Sequence, residues 1–128
     1  MDNRLLIADG DPELSDVYRR FFTHHGYEVD TANGGVECLV KLRSRPVTHL
    51  ILDLEIPWGG GEGVLAFLSE AFPAHSLPLI VLTSQPLTKA GPERVQLPVV
   101  AYFQKPCRLD DLLGCIASTS SQSKAAFA

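Results

Sequence analysis

Five polar side chains stand at or just after apolar runs, and their types make a set. Asp9 and Asp11 follow Leu5-Leu6-Ile7-Ala8, Asp53 closes Leu50-Ile51-Leu52, Thr83 follows Leu79-Ile80-Val81-Leu82, and Lys105 follows Val99-Val100-Ala101-Tyr102-Phe103. Carboxylates at adjacent strand ends offer a hard oxygen site of the kind Mg²⁺ uses, with water and a substrate phosphate filling the remaining positions. A nearby lysine supplies a positive charge for a phosphoryl oxygen, and a threonine hydroxyl supplies a neutral donor. Together they describe a site for a phosphoryl group on Asp53, whose carboxylate can act as a nucleophile and form an acyl phosphate when metal and lysine neutralise the developing charge. Taken alone, Asp53 reads equally well as a cap of the loop that follows, so the reading depends on its company.

The elements that must position these groups follow from hydrophobic pattern. Continuous apolar runs at 5–8, 50–52 and 79–82, the middle one within a strand at 49–53, read as strands buried on both faces, which belong to parallel sheets covered by helices. Tyr27-Glu28-Val29-Asp30-Thr31 alternates as an edge strand would, and residues 99–103 make a fifth strand. Between them, Leu14, Val17, Tyr18, Phe21 and Phe22 recur at helical spacing after Asp11-Pro12, an N-cap followed by proline, and Gly26 ends that helix. Val36, Leu39, Val40 and Leu42 mark a second helix ending before Pro46, and Val64 to Phe72 a third that starts after a glycine-rich loop at 57–63. Pro86, Gly91, Pro92 and Pro98 make a fourth helix short or distorted. Leu109, Leu112, Leu113 and Ile116 mark a last helix, and the Ser- and Ala-rich residues 119–128 show no periodicity, as a tail or the start of a linker would. Strands alternating with helices argue an open parallel α/β sheet with helices on both faces, and ligands of such sheets bind at the carboxyl ends of the strands.

The totals set the broad class. A chain of 128 residues suits one domain with a single core, here taken as residues 1–118, and 45% hydrophobic with 20% charged residues is ordinary globular composition. A formal charge of −4 argues against a nucleic-acid surface, which needs clustered Lys and Arg. No apolar stretch reaches the roughly 18 residues of a membrane span, and Met1-Asp2-Asn3-Arg4 has no signal-peptide pattern, so a cytoplasmic location is expected. Cys38, Cys107 and Cys115 are odd in number and form no C-x-x-C pair, which reads as reduced packing thiols.

The set of motifs resembles the response-regulator receiver domain of two-component signalling, from residue 4 to about 118. The matching segments are Asp9-Gly10-Asp11-Pro12, Leu52-Asp53-Leu54-Glu55-Ile56-Pro57, Thr83-Ser84 and Tyr102-Phe103-Gln104-Lys105-Pro106. The resemblance implies a flavodoxin-like (βα)5 doubly wound sheet with strand order 2-1-3-4-5. It implies that Asp53 accepts phosphate with Mg²⁺ as cofactor, that Asp9 and the backbone carbonyl of Glu55 join Asp53 in holding the metal, and that the Lys105-Pro106 bond is cis. Thr83 would hydrogen-bond the phosphoryl group, Lys105 would pair with it, and Tyr102 would change rotamer on activation. The implied partners are a sensor histidine kinase or phosphotransfer protein and an output domain or partner protein, with no nucleic acid and no membrane. Such a domain is not a classical enzyme, since it catalyses its own phosphorylation from a donor and its own dephosphorylation.

Two departures from the family pattern stand out. Gly10 occupies the place of a second metal-binding acid; Asp11 is a further candidate ligand, but its place before Pro12 favours an N-cap. The loop at 58–63 is longer than usual and carries Trp58, either an anchor for a partner or an aromatic packed over its own loop. The alternative function is therefore a phosphorylation-independent adaptor whose metal chemistry is weakened by Gly10. A flavin-binding protein of the same topology is disfavoured, because the first strand ends in acids rather than in a phosphate loop.

Overall fold

The computed structural model describes residues 3–58, 60–71, 77–86 and 99–127. Its elements run β1 (Arg4–Ala8), α1 (Pro12–His24), β2 (Glu28–Ala32), α2 (Gly35–Ser44), β3 (His49–Asp53), α3 (Gly60–Ala71), β4 (Leu79–Thr83), β5 (Ala101–Gln104) and α4 (Leu109–Phe127). The five strands form one sheet in the order β2-β1-β3-β4-β5, and every neighbouring pair is parallel. The α/β class and the strand order are those expected.

Period-two alternation divides the sheet between two cores. Leu6, Ala8, Leu50, Leu52, Leu79 and Val81 face one way and pack with Cys38 and Leu42 of α2 and Val64, Leu65 and Leu68 of α3. Leu5, Ile7, Ile51, Ile80 and Leu82 face the other way, against Tyr18 and Phe22 of α1 and Leu112 and Ile116 of α4. Each fully buried Leu or Ile stabilises by roughly 1.5–3 kcal/mol relative to exposure, so the three central strands anchor the fold. They are also why those strands read as unbroken apolar runs rather than as alternating ones.

Local chemistry sets the helix ends. Asp11 caps α1, its Oδ1 accepting from the amides of Glu13 at 3.0 Å and Leu14 at 3.4 Å, with Pro12 at the first helical position. Gly26, at φ 93°, follows the His25 C-cap and reverses the chain into β2.

Several boundaries shift by a residue, β2 running from Glu28 to Ala32 rather than from Tyr27 to Thr31, and three differ by more. β5 starts at Ala101 rather than at Val99: the Val100 amide makes the first bond to β4, at Leu79, and the paired register begins with Ala101 opposite Ile80. α3 starts at Gly60 rather than Val64 and absorbs most of the glycine-rich loop. Gly61 permits this: a Cβ there would lie 2.7 Å from the Cα and carbonyl oxygen of Leu54. α4 continues through residues 119–127, expected to be a tail, since Ala, Gln and Lys favour helix and neither Gly nor Pro interrupts that stretch. The expected irregular fourth helix falls on 87–98, outside the described residues. No helix among the described residues is long and apolar enough to cross a membrane.

Candidate functional site

Parallel register brings the strand ends to one rim. Ala8 lies opposite both Ala32 and Leu52, Asp53 opposite Leu82, and Thr83 opposite Gln104. The ladder runs on past the strands: the amides of Asp9, Leu54 and Lys105 donate to the carbonyls of Ala32, Leu82 and Thr83 at 2.9, 2.9 and 2.7 Å. Asp9, Asp53, Thr83 and Lys105 therefore share the carboxyl edge of the sheet.

Lys105 ties the two acids together. Its Nζ lies 2.7 Å from Oδ2 of Asp9 and 3.3 Å from Oδ2 of Asp53, and the peptide bond from Lys105 to Pro106 is cis. The remaining oxygens are held by backbone: Asp11 N–H donates to Asp9 Oδ1 and Glu55 N–H to Asp53 Oδ1, both at 3.0 Å. Asp9 is 1% exposed and Asp53 5%. One ammonium against two buried carboxylates leaves a negative charge uncompensated, an environment that attracts a cation.

The shifts of proton affinity follow. Burial pushes the Asp53 carboxyl above the ordinary value, and the Glu55 amide and the Lys105 charge recover only part of this. Burial pulls the Lys105 ammonium down, but its hydrogen bond to Asp9 and the charges of Asp53 and Asp9 outweigh that and hold it above its ordinary value. Lys105 is therefore held as a cation beside a carboxylate, Asp53, whose proton affinity is raised above that of a free aspartate.

Asp9 is braced from behind. Asn33 Nδ2 donates to the Asp9 carbonyl at 2.9 Å and to Ser15 Oγ at 3.0 Å, and Ser15 Oγ donates to the same carbonyl at 3.4 Å. Asn33 also sits at a strand end, after β2, and the rule that picked out Asp53 would have found it; paired with Gly34 it reads only as a turn. Asp11 is exposed and spends its carboxylate on the α1 cap.

Thr83 has no hydrogen bond to Asp53. Its hydroxyl donates to Oε2 of Glu55 at 2.8 Å, while Oε1 of Glu55 accepts from Ser84 N–H at 2.6 Å and Ser84 Oγ at 2.9 Å. Burial pushes the Glu55 carboxyl up, but the bonds from Ser84 and Thr83 outweigh it and hold the group below the ordinary range. The resemblance pointed only to the Glu55 backbone; the side chain was the missed participant, and its signal was an acid two residues past Asp53. Tyr102 is half-buried on β5 against the α2–α3 core, and burial raises its phenol. Trp58 is 77% exposed at φ 56°, so it does not pack over its own loop.

No group of three His, Cys, Asp or Glu side chains converges among the described residues. The oxygen donors that the geometry brings together at the rim are the carboxylates of Asp9 and Asp53, bridged by one lysine. That hard-oxygen set still fits Mg²⁺, which is commonly held by one or two carboxylates and keeps several waters.

Comparison with known proteins agrees with the fold. The family model described as "Response regulator receiver domain" matches residues 5–117. A curated relative, Response regulator MprA of Mycobacterium leprae (strain TN), is 31% identical over 122 residues, covering 94% of this chain and 52% of its own length. The chain thus spans about half the length of the curated relatives it matches. A response regulator protein from Burkholderia pseudomallei, solved with a phosphorylated aspartic acid, calcium ion and citrate, superimposes with TM-score 0.80 at 21% identity, over 99% of this chain and 74% of the other. Response regulator protein TrrA from Thermotoga maritima, in complex with Mg(2+)-BeF, gives TM-score 0.75 at 24% identity over 91% and 97%. At such identities the likeness is one of fold.

Proposed function

The chain belongs to the response regulator receiver domain family, and on that premise we propose that it accepts a phosphoryl group on Asp53 from a sensor histidine kinase or phosphotransfer protein. The observation that carries this reading is Lys105 Nζ bridging the buried carboxylates of Asp9 and Asp53 at 2.7 and 3.3 Å. A carboxylate oxygen of Asp53 attacks phosphorus and forms the new O–P bond. The bond from phosphorus to the donor breaks, and the donor leaves with the electron pair. Lys105 pairs with a phosphoryl oxygen and holds Asp53 ionised, and the Glu55 amide fixes the carboxylate plane. Asp9, Asp53 and the Glu55 carbonyl would hold Mg²⁺, which supplies charge neutralisation at the transferred group. Thr83 and Tyr102 are the residues we assign to the response, Thr83 by hydrogen bond and Tyr102 by rotamer.

Gly10 removes one acid but leaves a donor set that Mg²⁺ accepts, so the adaptor alternative has no observation in its favour. The odd number of cysteines with no C-x-x-C pair favours a reducing compartment such as the cytoplasm. The output lies with a partner or a further domain. The test is intact mass after incubation with acetyl phosphate and Mg²⁺: the chain gains one phosphoryl group, and Asp53→Asn gains none. Equal labelling of the two would overturn the assignment.

A further inference from the structure

Glu55 touches both ends of the site. Its N–H donates to Asp53 Oδ1 at 3.0 Å, and its carboxylate takes the hydroxyl of Thr83 and both donors of Ser84. A threonine hydroxyl has one proton to give. The acceptor side of Thr83 Oγ1 is already engaged by the amide of Gln85 at 3.0 Å, which leaves that proton directed at Glu55. Thr83 is 0% exposed, so water offers its hydroxyl no alternative. The bond is charge-assisted, roughly twice as strong as a neutral one. The Thr83 donor can therefore serve Glu55 or a phosphoryl oxygen on Asp53, but not both.

We propose that Glu55 is a positioning residue that latches Thr83 and Ser84 in the resting arrangement, so that a phosphoryl group on Asp53 must compete with the Glu55 carboxylate for the Thr83 hydroxyl. This rests on the phosphoryl-accepting reading above. A ligand shifts a two-state equilibrium only by its differential affinity, and an arrangement populated in a small fraction of molecules lowers apparent affinity by that fraction. The latch stabilises the unphosphorylated arrangement of the β4 rim and sets the threshold at which the switch responds. It joins the loop after β3 to the loop after β4, so its release frees two segments together.

The test uses the full chain, with beryllofluoride as phosphoryl mimic titrated calorimetrically at saturating Mg²⁺. Glu55→Ala should bind the mimic about ten-fold more tightly than wild type, the factor expected from loss of one competing hydrogen bond to a charged group. Glu55→Gln, which keeps an acceptor without charge, should fall between. In a Thr83→Ala background, where no hydroxyl is contested, the gain from either substitution should shrink. In the unliganded Glu55→Ala chain the Ser84 amide resonance should move toward its position in the beryllofluoride-bound wild type. Unchanged affinity, or an equal gain in both Thr83 backgrounds, would overturn the latch, since mere removal of a charge gives the second result. A wild type that ignores beryllofluoride at saturating Mg²⁺ would overturn the phosphoryl reading and the latch with it, whereas a responsive wild type with no gain in affinity in the Glu55 variants sinks the latch alone.

Discussion

A Cβ on residue 10 would lie 2.6 Å from Cδ of Pro57, so the glycine beside Asp9 is fixed by the ring that packs on it. The direction in which any side chain at position 10 would leave the backbone is filled by proline. We expect Gly10→Ala to lose about 1–3 kcal/mol of stability by urea denaturation, the cost of overpacking a rigid contact. In a Pro57→Ala background the same substitution should cost clearly less, and the difference is read as a double-mutant cycle. Gly10→Asp alone should leave Mg²⁺ affinity no better than wild type, while the pair Gly10→Asp, Pro57→Ala should improve it.

Asn33 supports Asp9 without touching its carboxylate. Asn33→Ala leaves the Asp9 carbonyl with only the long bond from Ser15, and strips Ser15 of its donor. A loss of about 1–3 kcal/mol is expected for such buried groups, measured by thermal or urea unfolding.

The Asp30–Lys41 pair should shape the acid limb of stability. Burial alone would raise Asp30, but its hydrogen bond with Lys41, that charge and the Thr31 amide outweigh it and lower the carboxyl below 3.8. A depressed folded value means that the unfolded chain takes up the proton first. The contribution is therefore complete above the ordinary aspartate value and is lost as pH falls through the folded one. Lys41 has the opposite sign: burial lowers it, Asp30 and Glu37 raise it above 10.5, and its share is lost only as pH rises through that higher value. Both side chains are about one-third exposed, so Asp30→Asn should cost no more than about 1 kcal/mol at neutral pH. Melting curves across pH should show the gap between variant and wild type closing below 3.8.

Two glycines of α3 should respond to alanine with opposite signs. A methyl at Gly61 meets Leu54 backbone at 2.7 Å, whereas a methyl at Gly63 has nothing within 4 Å. Gly63→Ala should stabilise by roughly 0.5–1 kcal/mol, the ordinary helix-interior gain. Gly61→Ala should destabilise despite the same propensity, as chemical denaturation of the two variants would report.

Much of this architecture was legible because three buried strands carry apolar runs and each ends in a group that can do chemistry. Asp9, Asp53 and Lys105 could be brought together on paper, since parallel strands share a carboxyl edge. The Glu55 carboxylate could not, because its partners Thr83 and Ser84 lie on another loop and only side-chain geometry couples them. The start of α3 was hidden for a related reason: glycines signal a turn, and the close approach of Gly61 to Leu54 is a tertiary fact. The continuation of α4 past Ser118 shows the converse, helix formed where no apolar stripe marks it.

Trp58 follows Glu55 by three residues, and its carbonyl accepts the Val36 amide at 2.9 Å at the start of α2. It is also the chain's single tryptophan, and its ring stands largely in solvent. Its emission is therefore an optical gauge that needs no label: a change in colour or quenching reports the segment next to Asp53 together with the turn into α2 that the indole lies against.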